Sequence, residues 1–204
     1  MKINISEKEI LKKSPNGYGI GGNHYTVLLS HLSTYFNDSV ILELGTLYGK
    51  SAAALAYNKT NQVYTYDIEH NKEAAVLFGD FDNIEYIIAD CIGSKWSGTH
   101  IDDGSISDRE IILSSKLIFL DTDPHDGIQE KAVSDFLIEN NWKGIMVCDD
   151  TGFGLEEKKQ NSHPAMREWW NSVDVKKYDI SDSVYAAGTG TGIMCFGNQE
   201  IITK

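Results

Sequence analysis

The stretch Val40-Ile41-Leu42-Glu43-Leu44-Gly45-Thr46-Leu47-Tyr48-Gly49-Lys50-Ser51, continuing into Ala52–Ala56, constrains this chain more than any other. Its apolar opening has the length of a buried strand, and its alanine-rich end favours a helix. Between them lie Gly45 and Gly49. A strand that turns through glycine into a helix lets backbone approach a ligand where no Cβ intervenes, and it gathers free amides at the helix start. The order Glu-Leu-Gly, three residues, Gly, Lys-Ser-Ala lacks the G-x-G-x-x-G dinucleotide turn and the lysine placement of a P-loop. That disfavours a nicotinamide-dependent oxidoreductase. An ordinary strand-loop-helix turn with packing glycines also fits this stretch, so residues elsewhere must decide.

Further strands follow at intervals. Val63–Asp67 is rich in β-formers and ends in an acid about 20 residues past the glycine loop, where nucleotide-binding α/β folds place a carboxylate for ribose hydroxyls. A helix cap or a solvated residue is the plainer reading of a single acid at a strand end. Ile84–Ala89 runs to Asp90, Lys116–Asp121 ends in Asp121, and Gly144–Cys148 leads into Asp149-Asp150. Helical spacing of Tyr25, Leu28, Leu29, Leu32 and Phe36, with Asn23 as N-cap, predicts a helix before the glycine loop. Asn71–Phe78 and the run holding Ile128, Ala132, Val133, Phe136 and Leu137 predict two more, the latter opened by a capping box of Asp126 and Gln129. Another starts at Pro164, with Met166, Trp169, Trp170 and Val173 on one face as core or dimer contacts. Two β-like runs, Val175–Ile180 and Thr189–Gly197, close the chain. The glycine-rich run Asn16–Gly22 reads as a connector or a flap, and Gly93–Asp108 as an accessory loop.

At 204 residues the chain is expected to be one domain: an N-terminal flap and helix over 1–38, a cofactor-binding core over 39–150, and a helix with a strand pair over 151–204. The formal charge of −12 weighs against a nucleic-acid partner. No apolar run of about 18 residues predicts a membrane span. Cys91, Cys148 and Cys195 form no Cys-x-x-Cys pair and are expected to be reduced thiols of a cytoplasmic protein. Asp121, Asp149 and Asp150 fall at the carboxyl ends of two successive strands. Like charges gathered there call for a shared cation or proton, and magnesium or calcium suits an all-oxygen set. Cofactor contacts or helix caps without a metal are the alternative.

The Glu-Leu-Gly-x-x-x-Gly-x-Ser-Ala loop with these strand-end acids resembles the class I S-adenosylmethionine-dependent methyltransferases, and within them the catechol O-methyltransferase-like branch. The resemblance runs from Gly19 to about Gly197. It implies an α/β, Rossmann-like, seven-stranded and mostly parallel sheet with an antiparallel final strand and helices on both faces. It implies cofactor contacts at Glu43, Gly45, Thr46, Gly49 and Ser51 for the methionine part, Asp67 for the ribose, Asp90 and Cys91 for the adenine, and Asp121. It also implies Mg2+ or another divalent cation on Asp121, Asp149 and Asp150. The family's catalytic lysine position is Pro124 here, so His125 beside it is the expected base, acting with Asp121; Asp123 is a weaker candidate, and His163, beside the fifth-strand loop, either faces the substrate or serves only the start of the following helix. Histidine in this segment resembles sugar-directed O-methyltransferases. The expected activity is transfer of a methyl group to a hydroxyl of a small molecule, in a chain able to form a homodimer through a Trp169-Trp170 face. A metal-independent methyltransferase and a non-catalytic cofactor-binding protein are the alternatives.

Overall fold

The computed structural model describes residues 1–14, 24–90, 106–152 and 164–204. In the main sheet, β2 (Val40–Leu44), β3 (Gln62–Asp67) and β4 (Ile84–Ile88) run outward on one side, and β5 (Leu117–Leu120) and β6 (Ile145–Asp149) on the other. β7 (Lys176–Asp179) and β8 (Thr191–Cys195) complete seven strands in the order β4-β3-β2-β5-β6-β8-β7. Every pairing from β4 to β6 is parallel, whereas β8 lies antiparallel between β6 and β7. This is the expected sheet, with its last strand reversed. The direction of strand progression reverses between β2 and β5, and α/β sheets bind ligands in the crevice such a reversal opens at the carboxyl ends.

Alternation along the strands decides which helices cover which face. Ile41, Val63, Phe119, Val147 and Ile193 pack with Leu28, Leu29 and Leu32 of α2 (His24–Ser33) and with Ala54 and Leu55 of α3 (Lys50–Leu55). Their in-between neighbours Leu42, Leu44, Leu120, Met146 and Met194 pack on the opposite face. There they meet Ile112 of α5 (Ile106–Ser114), Val133 and Leu137 of α6 (Ile128–Glu139), and Met166, Trp169 and Trp170 of α7 (Pro164–Ser172). Both tryptophans are 4% exposed, so they are core residues and present no outer face of the kind expected for a homodimer. Between β3 and β4, α4 (Lys72–Phe78) is capped by Asn71, whose side chain accepts from the N–H groups of Glu73 and Ala74. No helix among the described residues is long and apolar enough to cross a membrane.

Two features differ from the sequence reading. β1 (Lys2–Asn4), which precedes α1 (Glu7–Lys13), pairs in parallel with β9 (Glu200–Ile202) as a separate two-stranded sheet, and none of the three was expected. The α6 start is also built otherwise. Gly127, at φ 79°, occupies the N-cap, and Asp126 Oδ1 accepts from Ile128 N at 2.9 Å.

Candidate active site

The glycine loop is pressed onto the neighbouring strand end. Gly45 sits at φ 95°, its N–H donates to the Tyr66 carbonyl at 2.9 Å, and a Cβ built on it would lie 1.9 Å from the Asp121 carbonyl oxygen. Only glycine fits, since the site refuses a side chain both by conformation and by space. The loop is held by Asp67: Oδ2 accepts from Thr46 N at 3.1 Å and Leu47 N at 2.9 Å, while Oδ1 accepts from Glu69 N at 3.1 Å. The acid expected for ribose thus also ties down the loop's backbone, a role the sequence reading did not include. Leu47, Tyr48 and Ile68 stand exposed beside it.

Beneath the loop lies a buried polar network. Glu43 is fully buried and its Oε2 accepts from Thr65 Oγ1 at 2.5 Å; Thr65 Oγ1 also meets Thr46 Oγ1 at 2.6 Å. Burial pushes the Glu43 carboxyl up to about 8, against hydrogen bonds from Ser51 and Thr65 that favour its charged form. Its Oε1 is closed from solvent and has no hydrogen-bond partner.

Across the crevice stand the acids of β5 and β6. Asp121 N donates to the Leu44 carbonyl at 3.0 Å, so Asp121 adjoins the glycine loop through backbone as well. Burial, reinforced by the Asp150 charge, raises its carboxyl to about 6. His125 and Asp150 both occupy the left-handed region, at φ 55° and 52°. Such backbone costs about 1–2 kcal/mol per non-glycine residue and marks positions that the surroundings over-determine. His125 Nε2 lies 3.0 Å from Asp150 Oδ2 and 3.3 Å from Asp123 Oδ1. Burial lowers the imidazole pKa, but the bond to Asp150 and the charges of Asp150, Asp121 and Asp123 outweigh it and carry His125 up to about 9.

One potential ligand atom each from Asp121, His125 and Asp150 lie within 4.8 Å of one another. Asp149, expected with them, is 8% exposed and raised well above the carboxylate range by burial and its acid neighbours. Its Oδ1 meets Thr191 Oγ1 of β8 at 3.4 Å. Asp90 is exposed at the end of β4. Cys91, His163, Asn23, the 15–23 glycine-rich stretch, and the segments 91–105 and 153–163 lie outside the described residues.

These residues fit the two groups that the sequence implied. The loop is brought close against the Asp121 backbone by Gly45, and the buried Glu43 Oε1 beneath it has no partner, which leaves an acceptor that polar atoms of a cofactor can match. Two mutually repelling carboxylates with an imidazole beside them suit a divalent cation. Further unmatched buried oxygens, Thr122 Oγ1, Glu130 Oε2 and Thr151 Oγ1, belong to residues adjoining the same edge. Sequence reasoning missed His125 as a potential ligand and Glu130 altogether; an acid at the third position of a helix carries no signal of burial.

No protein-family model matches the chain, and no curated protein sequence matches it. Solved structures do. A candidate caffeoyl-CoA O-methyltransferase from Staphylococcus aureus superposes with a TM-score of 0.57 at 14% identity, covering 93% of this chain and 92% of that one. The S-adenosylhomocysteine-bound methyltransferase PaMTH1 of Podospora anserina gives 0.53 at 15% identity, covering 92% of each. A candidate S-adenosyl-L-methionine-dependent methyltransferase of Methanococcus maripaludis gives 0.54 at 11% identity, covering 97% and 96%. The chain shares the fold of these three structures.

Proposed function

We propose that the protein is an S-adenosylmethionine-dependent O-methyltransferase that acts on a hydroxyl of a small molecule with the aid of a divalent cation. One observation carries this reading: the glycine loop and the Asp121–His125–Asp150 cluster share a wall, Gly45 resting on the Asp121 carbonyl. A cofactor held by the loop therefore meets the acid cluster directly. In this reading Glu43, Gly45, Thr46, Gly49 and Ser51 surround the methionine part, Asp67 the ribose, and Asp90 with Cys91 the adenine. Asp121 and Asp150 hold the cation, with Asp149 behind them.

The chemistry asks little of the protein beyond geometry. The bond from sulfur to methyl breaks as the bond from acceptor oxygen to methyl forms, the sulfur leaves as a neutral thioether, and the acceptor's proton must go to a base. Holding acceptor and cofactor in line supplies up to about 7–11 kcal/mol of the barrier reduction. When bound, a divalent cation lowers the pKa of an acceptor hydroxyl. His125 is the base. Neutralising Asp150 and Asp121 removes the charges that hold its imidazole at about 9 and returns it toward its ordinary range, where Nε2 accepts a proton. A second reading, favoured by the 4.8 Å cluster, makes His125 the third cation ligand and Asp123 the base.

Calorimetric titration of S-adenosylhomocysteine, with and without magnesium, tests the proposal on the wild type and Asp67→Ala. Micromolar binding weakened at least tenfold in the variant is expected. Absence of binding to the wild type under either condition would sink the proposal.

A further inference from the structure

A row of three oxygens runs from the core to the glycine loop. Glu43 Oε2 stands 2.5 Å from Thr65 Oγ1, which stands 2.6 Å from Thr46 Oγ1, and all three residues are closed from solvent. The register of β2 on β3 creates the first contact, because it sets Glu43 directly opposite Thr65. On this face the neighbouring strand positions are the apolar Ile41 and Val63. A strand asks position 65 only for a β-branched side chain, and Val63, two residues earlier, supplies one without a hydroxyl. The hydroxyl of Thr65 therefore answers to something other than strand formation.

Proton counting shows what it does. Each threonine hydroxyl has one hydrogen to give, and an ionised carboxylate has none. With Glu43 ionised, Thr65 must donate to Oε2, so Thr46 must be the donor in the contact between the two hydroxyls. The Thr46 side chain is thereby drawn inward, onto β3. Its main chain is held by the same strand, since Thr46 N donates to Asp67 Oδ2 at 3.1 Å and Leu47 N to the same oxygen at 2.9 Å. Two residues of one strand, Thr65 and Asp67, thus grip the residue that follows Gly45, one by its side chain and one by its backbone. A row of buried hydrogen bonds in which every hydroxyl is used holds a single arrangement.

We propose that Thr65 is a positioning residue for the glycine loop, tying the Thr46 side chain to Glu43 and so keeping the loop in the form that receives the cofactor. The assignment rests on the proposed function for the identity of that ligand. Thr65 lies closed beneath the loop and acts through Thr46.

The test combines titration calorimetry of S-adenosylhomocysteine with amide hydrogen exchange of the ligand-free protein. Thr65→Val keeps the branched shape and removes the hydroxyl; it is expected to weaken binding about tenfold and to speed exchange at the Thr46 and Leu47 amides. Thr65→Ser, which keeps the hydroxyl and loses a buried methyl, is expected to melt lower than the wild type yet bind like it. A merely structural role would make affinity follow stability instead. In a Thr46→Val background, adding Thr65→Val is expected to cost no further affinity. Unaltered binding and exchange in a folded Thr65→Val protein would overturn the proposal. So would an undiminished loss in the Thr46→Val background, or Thr65→Ser binding as weakly as Thr65→Val. Should Thr65→Val fail to fold, Thr65→Ser and Thr65→Ala, which differ only in the hydroxyl, decide by the same readouts, equal values refuting the role. Failure of S-adenosylhomocysteine to bind the wild type would remove the methyltransferase reading, and the exchange of the two loop amides would still decide the positioning role.

Discussion

Gly45→Ala is the sharpest probe of the crevice. The new Cβ would start 1.9 Å from the Asp121 carbonyl oxygen and 2.8 Å from its carbon, so β2 and β5 must part by about 1.5 Å at their ends to restore ordinary contact. Both opposing atoms are backbone, which leaves no flexible side chain to give way. Holding alanine at φ 95° adds about 1–2 kcal/mol, and overpacking of this kind costs about 1–3 kcal/mol. A loss of roughly 2–5 kcal/mol translates, for a chain of this size, into a melting temperature lower by about 4–20 °C. The wall shared by loop and acid cluster is what moves, so S-adenosylhomocysteine affinity should fall at least tenfold in a protein whose circular dichroism at low temperature matches the wild type. Gly79→Ala is the control. Gly79 lies in ordinary right-handed helical backbone, and its Cβ would find only the Val76 carbonyl at 3.2 Å, so stability should change by no more than about 1 kcal/mol. Scanning calorimetry and titration calorimetry on the three proteins read both quantities. Gly45→Ala with unaltered melting and affinity would refute the packing account and the shared wall with it.

Other perturbations separate the remaining roles. His125→Ala should lower kcat by about 10²–10⁴-fold while leaving S-adenosylhomocysteine affinity and the heat of magnesium binding in place; loss of that heat would instead make His125 a ligand. Cation at a hundredfold excess over its Kd should raise the melting temperature of the wild type by about 5–11 °C and that of Asp150→Ala hardly at all, read by thermal shift. Glu43 carries a pH signature. Its folded value of about 8 lies above the ordinary 4.5, so the folded state binds the proton more tightly. The resulting destabilisation is absent below pH 4.5, grows through the interval and is complete above pH 8. Glu43→Gln removes it, so the melting-temperature advantage of the variant should widen from pH 4.5 to 8.5 toward the equivalent of about 3–5 kcal/mol. A pH-independent difference would show that Glu43 ionises freely.

Much of the fold was legible because buried parallel strands are short apolar runs bounded by polar turns. Val40–Leu44, Leu117–Leu120 and Ile145–Asp149 have that form, and each ends at or one residue before a residue of the site. The three-residue strands β1 and β9 had no such signal, since their pairing depends on residues near opposite ends of the sequence. Within the site, residue types were readable and directions were not. Asp149 and Asp150 are adjacent, yet one continues the strand and meets Thr191 while the other turns into the left-handed region and meets His125. Asp67 was placed rightly at the strand end, but its bonds to the loop amides come from a turn that only tertiary packing brings back. Glu130 was invisible because local pattern assigns an acid in a first helical turn to solvent.

The pairing of β1 with β9 has a consequence for the order of assembly. Ile3 lies opposite Ile201 in register, and both are buried. During synthesis the first strand emerges long before its partner exists. All the residues assigned to cofactor, cation and base lie between Glu43 and Asp150, so they leave the ribosome while β1 still lacks a mate. The crevice can therefore begin to gather on a nascent chain, whereas the small sheet closes as a final clasp once residues 200–202 are free. A label appended at either end sits on that clasp and not on the crevice.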